Sequence, residues 1–251
     1  MYEKLLNTPR DFVFLDKTES TNGDIKKMIY TASSPVFSVV SAKMQLSGRG
    51  RLGRSFFSPD GGLYFSFSLP LTGKENNIPF VTLLAGLAVS EAIEELTGVK
   101  TEIKWPNDIY LNGKKLGGIL SELVSGKFIT AVVGVGINLC VSKDDIPSEL
   151  QDKMTSFSAE GESVPDKNKL TELITAKTDE YVYKNKELYK TNSDTMERIR
   201  SRSFSVGKSV KYILGDCVLE GIVTDITNTG AAEILLPDGT KREIFCGEIT
   251  Q

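Results

Sequence analysis

Histidine is absent from the 251-residue chain, and this absence limits the chemistry that the protein can perform. Without histidine, Ser-His-Asp catalysis, Cys-His catalysis and histidine-ligated metal sites are all excluded. The three cysteines, Cys140, Cys217 and Cys246, have no CxxC spacing, so the sequence predicts neither a zinc site nor a disulfide framework. Lysine, arginine, carboxylates and the positioning of reactants remain as catalytic tools, and this set suits phosphoryl and nucleotidyl transfer.

Long hydrophobic runs and an excess of positive charge are also absent. No apolar stretch reaches membrane-spanning length, and residues 1–10 contain no hydrophobic signal segment, so we expect a cytoplasmic protein without membrane contact. The formal net charge of −3 argues against broad affinity for DNA or RNA, which depends on many lysine and arginine contacts to phosphate. With 40% hydrophobic residues, the chain is long enough to bury a full core.

Residues 48–54 read GRGRLGR, in which arginines 49, 51 and 54 alternate with glycines. Glycine allows backbone amides to approach an anion closely, and guanidinium groups match the oxygens of phosphate and carboxylate. The spacing is not that of a nucleotide-binding P-loop. The segment is therefore either a loop that binds an anion or a flexible basic loop at the surface.

A second motif, residues 104–120, contains a predicted β-hairpin. The Asn112-Gly113 dipeptide favours a two-residue type I′ turn, because both central positions need positive φ. The register implied by this turn pairs Leu111 with Lys114, Tyr110 with Lys115, Ile109 with Leu116 and Asp108 with Gly117. Lys115 is then diagonal to Asp108 on one sheet face, and Gly117 leaves space above the carboxylate. The hairpin is either a ligand floor or a salt-bridged surface hairpin.

The rest of the chain reads as a mixture of helices and strands. Ser20 or Thr21 can cap a first helix, strands are expected at 36–44, 62–69 and 128–139, and residues 78–97 predict a long buried helix that ends at Gly98. A polar stretch, 142–166, is expected to cross the surface before a helix that contains Leu170, Leu173, Ile174, Tyr181 and Leu188. After Phe204, about five short strands separated by turn residues predict a small barrel.

These motifs closely resemble those of the biotin-protein ligases, from about Phe14 to the C-terminus. The GRGRxGR loop of that family matches residues 48–54, its KWPND block matches 104–108, and the lysine of its GxKLaGIL motif matches Lys115. Further matches are Ser20-Thr21-Asn22, Gln45 and the GVGIN segment at 134–138. Two positions depart from the usual pattern: Gly23 replaces a glutamine and Phe56 replaces a tryptophan, which puts ligand affinity in doubt rather than the class of reaction.

The resemblance implies an α+β fold with a catalytic domain at 1–203 and an SH3-like domain at 204–251. The catalytic domain would have a class II synthetase-like architecture, a mixed or antiparallel sheet flanked by helices. No helix-turn-helix domain is recognisable before Phe14, so we expect no DNA-binding repressor function. Family members commonly pair through sheet edges, so a homodimer is a further expectation.

The activity implied by the resemblance has two steps. Biotin and ATP, with Mg²⁺ as the counter-ion of the triphosphate, form biotinyl-5′-adenylate, and a lysine of a biotin carboxyl carrier domain of a biotin-dependent carboxylase then attacks it. No enzyme nucleophile and no resident metal are needed. Two alternatives are a lipoate-protein ligase, which resembles these enzymes in fold and chemistry, and a non-catalytic module that binds RNA or another anion.

The resemblance also implies roles for individual residues. Lys115, Arg49 and Arg51 would act on the reacting carboxylate and phosphate, and Asp108 is a general base, an electrostatic partner of Lys115 or a hydrogen-bond acceptor. The expected substrate-binding residues are Ser20, Thr21, Asn22, Gln45, Gly48, Arg49, Gly50, Arg51, Lys115 and Gly117. The expected nucleotide-binding residues are Arg51, Arg54, Phe56, Trp105, Asn107 and Asn138, although Trp105 is equally suited to core packing and Arg54 to pairing with an acidic surface.

Overall fold

A large mixed sheet forms the centre of the molecule. The computed structural model describes residue 5 and residues 8–71, 77–142, 145–184, 193–215 and 217–250. Within these residues the sheet has seven strands: β1 Asp11–Thr18, β2 Ser38–Gln45, β3 Leu63–Pro70, β4 Glu102–Lys104, β5 Asp108–Leu111, β6 Lys114–Ser125 and β7 Ile129–Ile137. Their order is β1-β2-β3-β7-β6-β5-β4, and β1 runs parallel to β2 whereas the other neighbours are antiparallel. The predicted mixed sheet is confirmed.

Helices cover both faces of this sheet. The described helices are α1 Thr21–Thr31, α2 Ile78–Thr97, α3 Lys167–Lys184 and α4 Ser193–Ser201. Adjacent residues of a strand point to opposite faces, and Val39 and Val40 of β2 accordingly belong to different apolar clusters. Val39 joins the main core with α2, and Val40 packs with Ile25 of α1. The expected α+β architecture with helices flanking the sheet is therefore confirmed.

The buried helix predicted at 78–97 is present with the expected ends. The side chain of Asn77 accepts a hydrogen bond from the Phe80 amide at 3.3 Å, and Gly98 ends the helix in the left-handed conformation at φ 76°. The first helix begins at Thr21 with Ser20 at its N-cap position, but no side-chain capping bond forms there. Ser20 thus occupies the N-cap position, but its side chain does not cap the helix.

The predicted register of the second motif is wrong beyond the turn. Tyr110 pairs with Lys115 as expected, but a β-bulge then shifts the strands so that Ile109 pairs with Gly117 and Asp108 pairs with Gly118. The bulge leaves Leu116 without the expected partner on β5. Ile109, Leu111 and Leu116 still reach the core, where all three are buried. Gly118, rather than Gly117, therefore lies beside the Asp108 carboxylate.

The polar stretch at 142–166 does not simply cross the surface, as was expected. Thr155, Ser156 and Phe157 are buried within it. The backbone around Met154 forms a parallel bridge with Lys115. The following helix α3 has the predicted apolar residues as far as Tyr181, whereas Leu188 lies outside the described residues. This stretch contacts the hairpin at Lys115 and, through the 2.6 Å bond from Asn112 Nδ2 to Glu160 Oε2, at the turn itself.

A second, antiparallel sheet lies at the C-terminal end. Its described strands are β8 Ser209–Leu214, β9 Cys217–Ile226, β10 Ala232–Leu235, β11 Lys241–Ile244 and β12 Glu248–Thr250, in the order β11-β10-β9-β8-β12. The turn glycines Gly215, Gly230 and Gly239 all have positive φ. Five short strands joined by such turns confirm the predicted β structure and are consistent with an SH3-like domain.

Residues of and after β4 contact both the segment that leads into the second sheet and that sheet itself. Ile103 of β4 forms a parallel bridge with Ser203. The indole N–H of Trp105 donates to the Gly230 carbonyl at 2.9 Å. Because the Trp105 side chain is also buried, it packs in the core while it links the sheets. The predicted domain boundary at 203/204 falls at the Ile103–Ser203 bridge and stays a prediction.

Candidate active site

A single cleft brings together most of the residues that the sequence singled out. It lies between the glycine–arginine loop, the turn before β5, strands β6 and β7, and the segment that leads into β12. The predicted site residues that line it are Ser20, Thr21, Asn22, Gln45, Arg49, Gly50, Arg51, Arg54, Phe56, Trp105, Asn107, Asp108 and Lys115. The predicted residues Gly48, Gly117 and Asn138 are not among the lining residues.

Lys115 and Asp108 form a charged pair in this cleft. The Lys115 Nζ lies 2.8 Å from Asp108 Oδ1, and about a third of the lysine side chain remains exposed. A Cβ atom at Gly118 would lie 3.2 Å from Asp108 Oδ1, so a larger residue there would crowd the pair. The backbone of Lys115 is fixed on its other side, because its amide donates to the Lys153 carbonyl at 2.9 Å. The Lys115 ammonium group is thus a partly exposed cation that Asp108 holds in a defined position.

The glycine–arginine loop closes on itself as a tight antiparallel turn. The Phe56 amide donates to the Gly48 carbonyl at 2.8 Å, and the Gly50 amide donates to the Arg54 carbonyl at 2.7 Å. Leu52 and Gly53 form the tip with φ of 55° and 76°. A Cβ at Gly48 would lie 2.4 Å from the Phe56 carbonyl oxygen, so glycine is required at the base of the loop. Gly48 therefore shapes the loop from outside the cleft.

The three arginines of the loop have different environments. Arg51 donates to Asn107 Oδ1 and to the Gly247 carbonyl, each at 3.0 Å. Burial lowers the pKa of the Arg51 guanidinium, although the Asp108 carboxylate acts in the opposite direction. Arg54 forms a bidentate ion pair with the Glu248 carboxylate. This contact agrees with the alternative prediction that Arg54 pairs with an acidic surface rather than with the nucleotide.

Arg49 is exposed and makes no hydrogen bond or ion pair with any residue that the structure describes. It lines the cleft, and its charge helps to lower the pKa of Glu122 on β6. Because guanidinium stays charged at physiological pH, this side chain offers the cleft a free cation. Of the three arginines, Arg49 is the one whose donors are available to a ligand without breaking a contact.

The end of the cleft near α1 has a neutral polar floor. The Thr21 amide donates to Gln45 Oε1 at 3.0 Å, and Gln45 Nε2 donates to Ser58 Oγ at 3.0 Å. Ser20, Thr21 and Asn22 are all at most 6% exposed. Buried hydroxyl and amide groups such as these can hydrogen-bond a neutral polar ring without placing a charge beside it.

The aromatic residue of the cleft, Phe56, stands over a glycine. A Cβ at Gly136 would lie 2.5 Å from the Phe56 ring, so the bare backbone of β7 makes room for it. Lys115 Nζ lies 5.9 Å from the ring centroid, within range of a cation–π contact. Phe56 therefore lies beside Lys115 and presents an aromatic surface to the cleft.

Two asparagines predicted to contact the nucleotide are engaged by the protein. Asn107 accepts from Arg51, and its Nδ2 donates to the Ile119 carbonyl at 3.2 Å. Asn138 is 2% exposed, and its Nδ2 donates to the Thr155 carbonyl at 3.0 Å. Asn107 thus positions Arg51 at the wall of the cleft, whereas Asn138 is buried away from it.

Sequence reasoning missed the part of the cleft that comes from the C-terminal sheet. Gly247, Glu248 and Ile249 line the cleft, and the first two bind Arg51 and Arg54. Residues 51 and 247 are separated by 196 positions, and no motif in the sequence marks Gly247. Lys104 also lines the cleft. The signal in the sequence that could have identified Lys104 was its position in the KWPND block.

Together these features define a cleft with a neutral polar end and a cationic end, covered by a glycine-rich loop. The family described as "Biotin/lipoate A/B protein ligase family" matches residues 14–138. The biotin protein ligase of Aquifex aeolicus, solved in complex with biotin and ATP, is 32% identical, has a TM-score of 0.80 and covers 96% of this chain and 97% of its own. The chain therefore belongs to the biotin/lipoate A/B protein ligase family.

Two bacterial relatives support the same assignment. The bifunctional ligase/repressor BirA of Bacillus spizizenii is 41% identical over 136 residues, which are 53% of this chain and 42% of that protein. The biotin–[acetyl-CoA-carboxylase] ligase of Mycobacterium tuberculosis is 29% identical over 223 residues, which are 85% of this chain and 79% of that protein. The chain thus spans less than half the length of the Bacillus relative. None of the described helices is long and apolar enough to cross a membrane.

Proposed function

We propose that this protein is a biotin-protein ligase that forms biotinyl-5′-adenylate from biotin and ATP and transfers biotin to a lysine of a carrier domain. The observation that carries this proposal is the position of Lys115, 2.8 Å from Asp108, in the same cleft as the arginine loop. A cationic end beside a neutral polar floor suits a ligand that has an uncharged hydrogen-bonding ring and a carboxylate. Biotin is such a ligand, and the Aquifex relative is described with biotin and ATP bound.

The first step would join two anions. A carboxylate oxygen of biotin attacks the α-phosphorus of ATP, the new P–O bond forms, and the bond to pyrophosphate breaks. Negative charge builds on the phosphoryl oxygens during this attack, so fixed cations nearby stabilise the transition state. Lys115 and Arg49 would supply this charge, with Arg51 at the phosphate end. ATP would enter as its Mg²⁺ complex, as a substrate.

The second step would use the ε-amine of the acceptor lysine as the nucleophile. The amine attacks the acyl carbon of the adenylate, an amide bond forms, and AMP leaves with the electron pair of the broken C–O bond. The amine must lose a proton, since the ordinary pKa of lysine is about 10.4. Asp108 is paired with Lys115, so we assign it first the role of holding that ammonium group and only second that of a general base.

The loop would act as a lid as well as a clamp. An acyl-adenylate hydrolyses if water reaches it, so excluding water protects the intermediate until the carrier domain arrives. Arg51 is attached to Asn107 and to the Gly247 carbonyl, which keeps the loop near the cleft. Phe56 would offer a surface for stacking, although it lacks the indole N–H usual in the family.

The acceptor and the setting of the reaction are part of the same proposal. The acceptor would be a biotin carboxyl carrier domain of a carboxylase, because the Mycobacterium relative is named for acetyl-CoA carboxylase. The compartment would be the cytoplasm, and the chain would act alone or as a homodimer. The two predicted domains, 1–203 and 204–251, would share the cleft through the contacts of Arg51 and Arg54 with the C-terminal segment.

A pyrophosphate-exchange assay tests this proposal against its main alternative. Radiolabelled pyrophosphate should enter ATP when biotin is present, and lipoate at the same concentration should support little exchange. The matched control is the same protein without any added acid. Exchange that depends on lipoate rather than biotin would identify a lipoate-protein ligase. The absence of exchange with both acids would contradict acid activation altogether.

A further inference from the structure

Behind the polar floor, four side chains form a continuous chain of hydrogen bonds that ends outside the cleft. Asn22 Nδ2 donates to Glu122 Oε2 at 2.8 Å, Ser66 Oγ donates to Asn22 Oδ1 at 2.5 Å, and Thr21 Oγ1 lies 2.6 Å from Ser66 Oγ. We call the series Glu122–Asn22–Ser66–Thr21 the polar relay. Thr21 and Asn22 line the cleft, whereas Ser66 and Glu122 do not.

The chemistry of the members sets the direction of every bond in the polar relay. An ionised carboxylate can only accept, so the amide nitrogen of Asn22 must face Glu122 and its oxygen must face Ser66. The Ser66 proton is then used on Asn22, and the 2.6 Å contact between the two hydroxyls must use the proton of Thr21. Thr21 Oγ1 therefore has only lone pairs left for a ligand.

The neighbouring group in the floor has the same polarity. Gln45 Oε1 accepts from the Thr21 amide at 3.0 Å, while Gln45 Nε2 donates to Ser58. Thr21 Oγ1 also donates toward Gln45 Oε1 over a longer 3.2 Å, so its one proton is shared between Ser66 and Gln45 and stays inside the floor. Two adjacent acceptors in a buried floor favour a ligand that brings N–H donors, because an unpaired buried acceptor loses its hydration without compensation.

Glu122 is held in its accepting form by its surroundings. Partial burial acts to raise the pKa of its carboxyl group, but the hydrogen bonds from Lys26 and Asn22 outweigh it and hold the pKa below its usual value. Lys26 Nζ lies 2.6 Å from Glu122 Oε1. The close approach of β7 also fixes the amide, since a Cβ at Gly134 would lie 2.1 Å from Asn22 Oδ1.

We propose that Glu122 is a positioning residue: its carboxylate fixes the direction of the polar relay and so makes the Thr21 hydroxyl an acceptor for ligand N–H groups. This inference rests on the proposed function and adds a basis for ligand choice. The class of ligand that it selects is a cyclic urea or another ring with N–H donors. A dithiolane ring, as in lipoate, has none to offer.

Glu122→Gln tests the inference because glutamine has nearly the same shape and can donate. The relay can then reverse, with Asn22 flipped at the loss of its 3.3 Å bond to the Leu120 carbonyl, and the Thr21 proton is released from Ser66. We expect the Kd and the KM for biotin to rise about tenfold or more, while the KM for ATP changes less than about twofold, since a lost hydrogen bond to a buried group has this magnitude. Ser66→Ala, which breaks the relay, should act in the same direction.

Lys26→Met is the matched control. It removes the ion pair but keeps the carboxylate that accepts from Asn22, so biotin affinity should stay within about twofold of wild type. Equal losses in Glu122→Gln and Lys26→Met, or equal rises in the KM values for biotin and ATP, would overturn the inference. Thermal unfolding of each variant separates these effects from loss of the fold.

The test also separates the inference from the proposed function. Wild-type protein that forms no AMP in the presence of biotin would contradict the ligase assignment. The polar relay is judged independently from the Kd for biotin measured by calorimetry without ATP. An unchanged Kd in Glu122→Gln would refute the relay even if the enzyme is an active ligase.

Discussion

At the residue scale, the proposed chemistry depends on the placement of one ammonium group. Lys115 faces Asp108 at 2.8 Å and is held from behind by the backbone of the 142–166 stretch. A cation that is already positioned needs no rearrangement when charge develops on the reacting phosphoryl group. Lys115 should therefore matter more to the rate of adenylate formation than to the binding of ATP.

Lys115→Ala should slow the formation of biotinyl-adenylate by about 10²- to 10³-fold, the usual effect of removing one preorganised donor. The affinity for ATP should change far less, because the remaining contacts to the nucleotide persist. Single-turnover formation of adenylate and equilibrium binding of ATP measure the two effects. Lys114→Ala is the control, because this neighbouring lysine does not line the cleft. Equal losses in rate and binding would make Lys115 only a binding residue.

Asp108→Asn separates the two roles considered for this carboxylate. The change removes the charge that holds Lys115, so adenylate formation should fall about tenfold or more, in line with a lost hydrogen bond to a charged group. Transfer from preformed biotinyl-adenylate to the carrier should stay within about twofold of wild type. Rapid-quench kinetics of each step provides the measurement. A large loss in transfer, with little loss in activation, would instead support the general-base role.

Side-chain contacts of the site could be predicted from sequence where the two residues are close together in the chain. The approach of Lys115 to Asp108 followed from the Asn112-Gly113 turn alone. The exact register did not, because the bulge at Leu116 depends on packing of that side chain in the core. The link from Glu122 to Asn22 spans 100 positions, and no local pattern encodes it.

At the element scale, the glycine–arginine loop is attached to the C-terminal sheet. Arg54 pairs with Glu248 at the start of β12, and Arg51 binds the Gly247 carbonyl beside it. These contacts tie a glycine-rich loop to a strand that belongs to the other sheet. The loop is therefore expected to open when the C-terminal contacts are weakened.

Glu248→Gln should make the loop open more often, because it removes the charge that pairs with Arg54. A partly exposed ion pair contributes about 0.2–1 kcal/mol, so trypsin should cleave after residues 49, 51 and 54 about 1.4- to fivefold faster. Limited proteolysis followed by mass spectrometry measures this rate. Glu243→Gln on β11 is the control, since this exposed residue lies away from the loop. Identical cleavage of both variants would show that the pair does not hold the loop.

The same ion pair has a defined dependence on pH. Hydrogen bonds from Arg54 lower the pKa of Glu248 below its usual value. A carboxyl group with a lowered folded-state pKa stabilises the fold above its unfolded pKa and loses that contribution as pH falls through the lower value. Urea denaturation should show a constant difference in stability between wild type and Glu248→Gln from about pH 8 to about pH 5, which shrinks below about pH 4. A difference that grows in acid would contradict this sign.

Arg51→Gly should allow the adenylate to escape. The change removes the bonds of the loop to Asn107, in the turn before β5, and to the Gly247 carbonyl, so the loop keeps its Arg54–Glu248 pair but is held less firmly over the cleft. Released biotinyl-adenylate should then label lysines of unrelated proteins. Streptavidin blotting of bystander albumin measures this labelling, with Arg242→Gly on β11 as the control. Tight retention of the adenylate by Arg51→Gly would refute the role of the loop as a lid.

Helices and strands could be predicted from sequence where a local pattern of apolar and turn residues determined them. Residues 78–97 carry apolar side chains at helical spacing and are followed by Gly98, and both predicted ends proved correct. The stretch at 142–166 looked like surface because its composition is polar. Its buried Thr155 and Ser156 satisfy their polar groups through tertiary contacts, such as the bond from Asn138 to the Thr155 carbonyl, and composition does not reveal these.

At the scale of the whole molecule, the cleft is built from both sheets. The large sheet supplies the polar floor and the Lys115–Asp108 pair, and the C-terminal segment supplies Gly247 and Glu248. The Trp105 bond to Gly230 and the contacts of Arg51 and Arg54 with Gly247 and Glu248 hold the two parts together. The likeness to the Aquifex ligase extends over 96% of the chain and thus includes the C-terminal sheet, beyond the family-matched residues 14–138.

We propose that one cleft holds the activated acid between the glycine–arginine loop and Lys115. A crystal structure of the protein with biotinyl-5′-adenylate tests it most directly. We predict the ring on the Thr21–Gln45 floor, the phosphate between Arg51 and Lys115, and the loop closed over both. An adenylate bound elsewhere, in contact with neither the loop nor Lys115, would contradict the account.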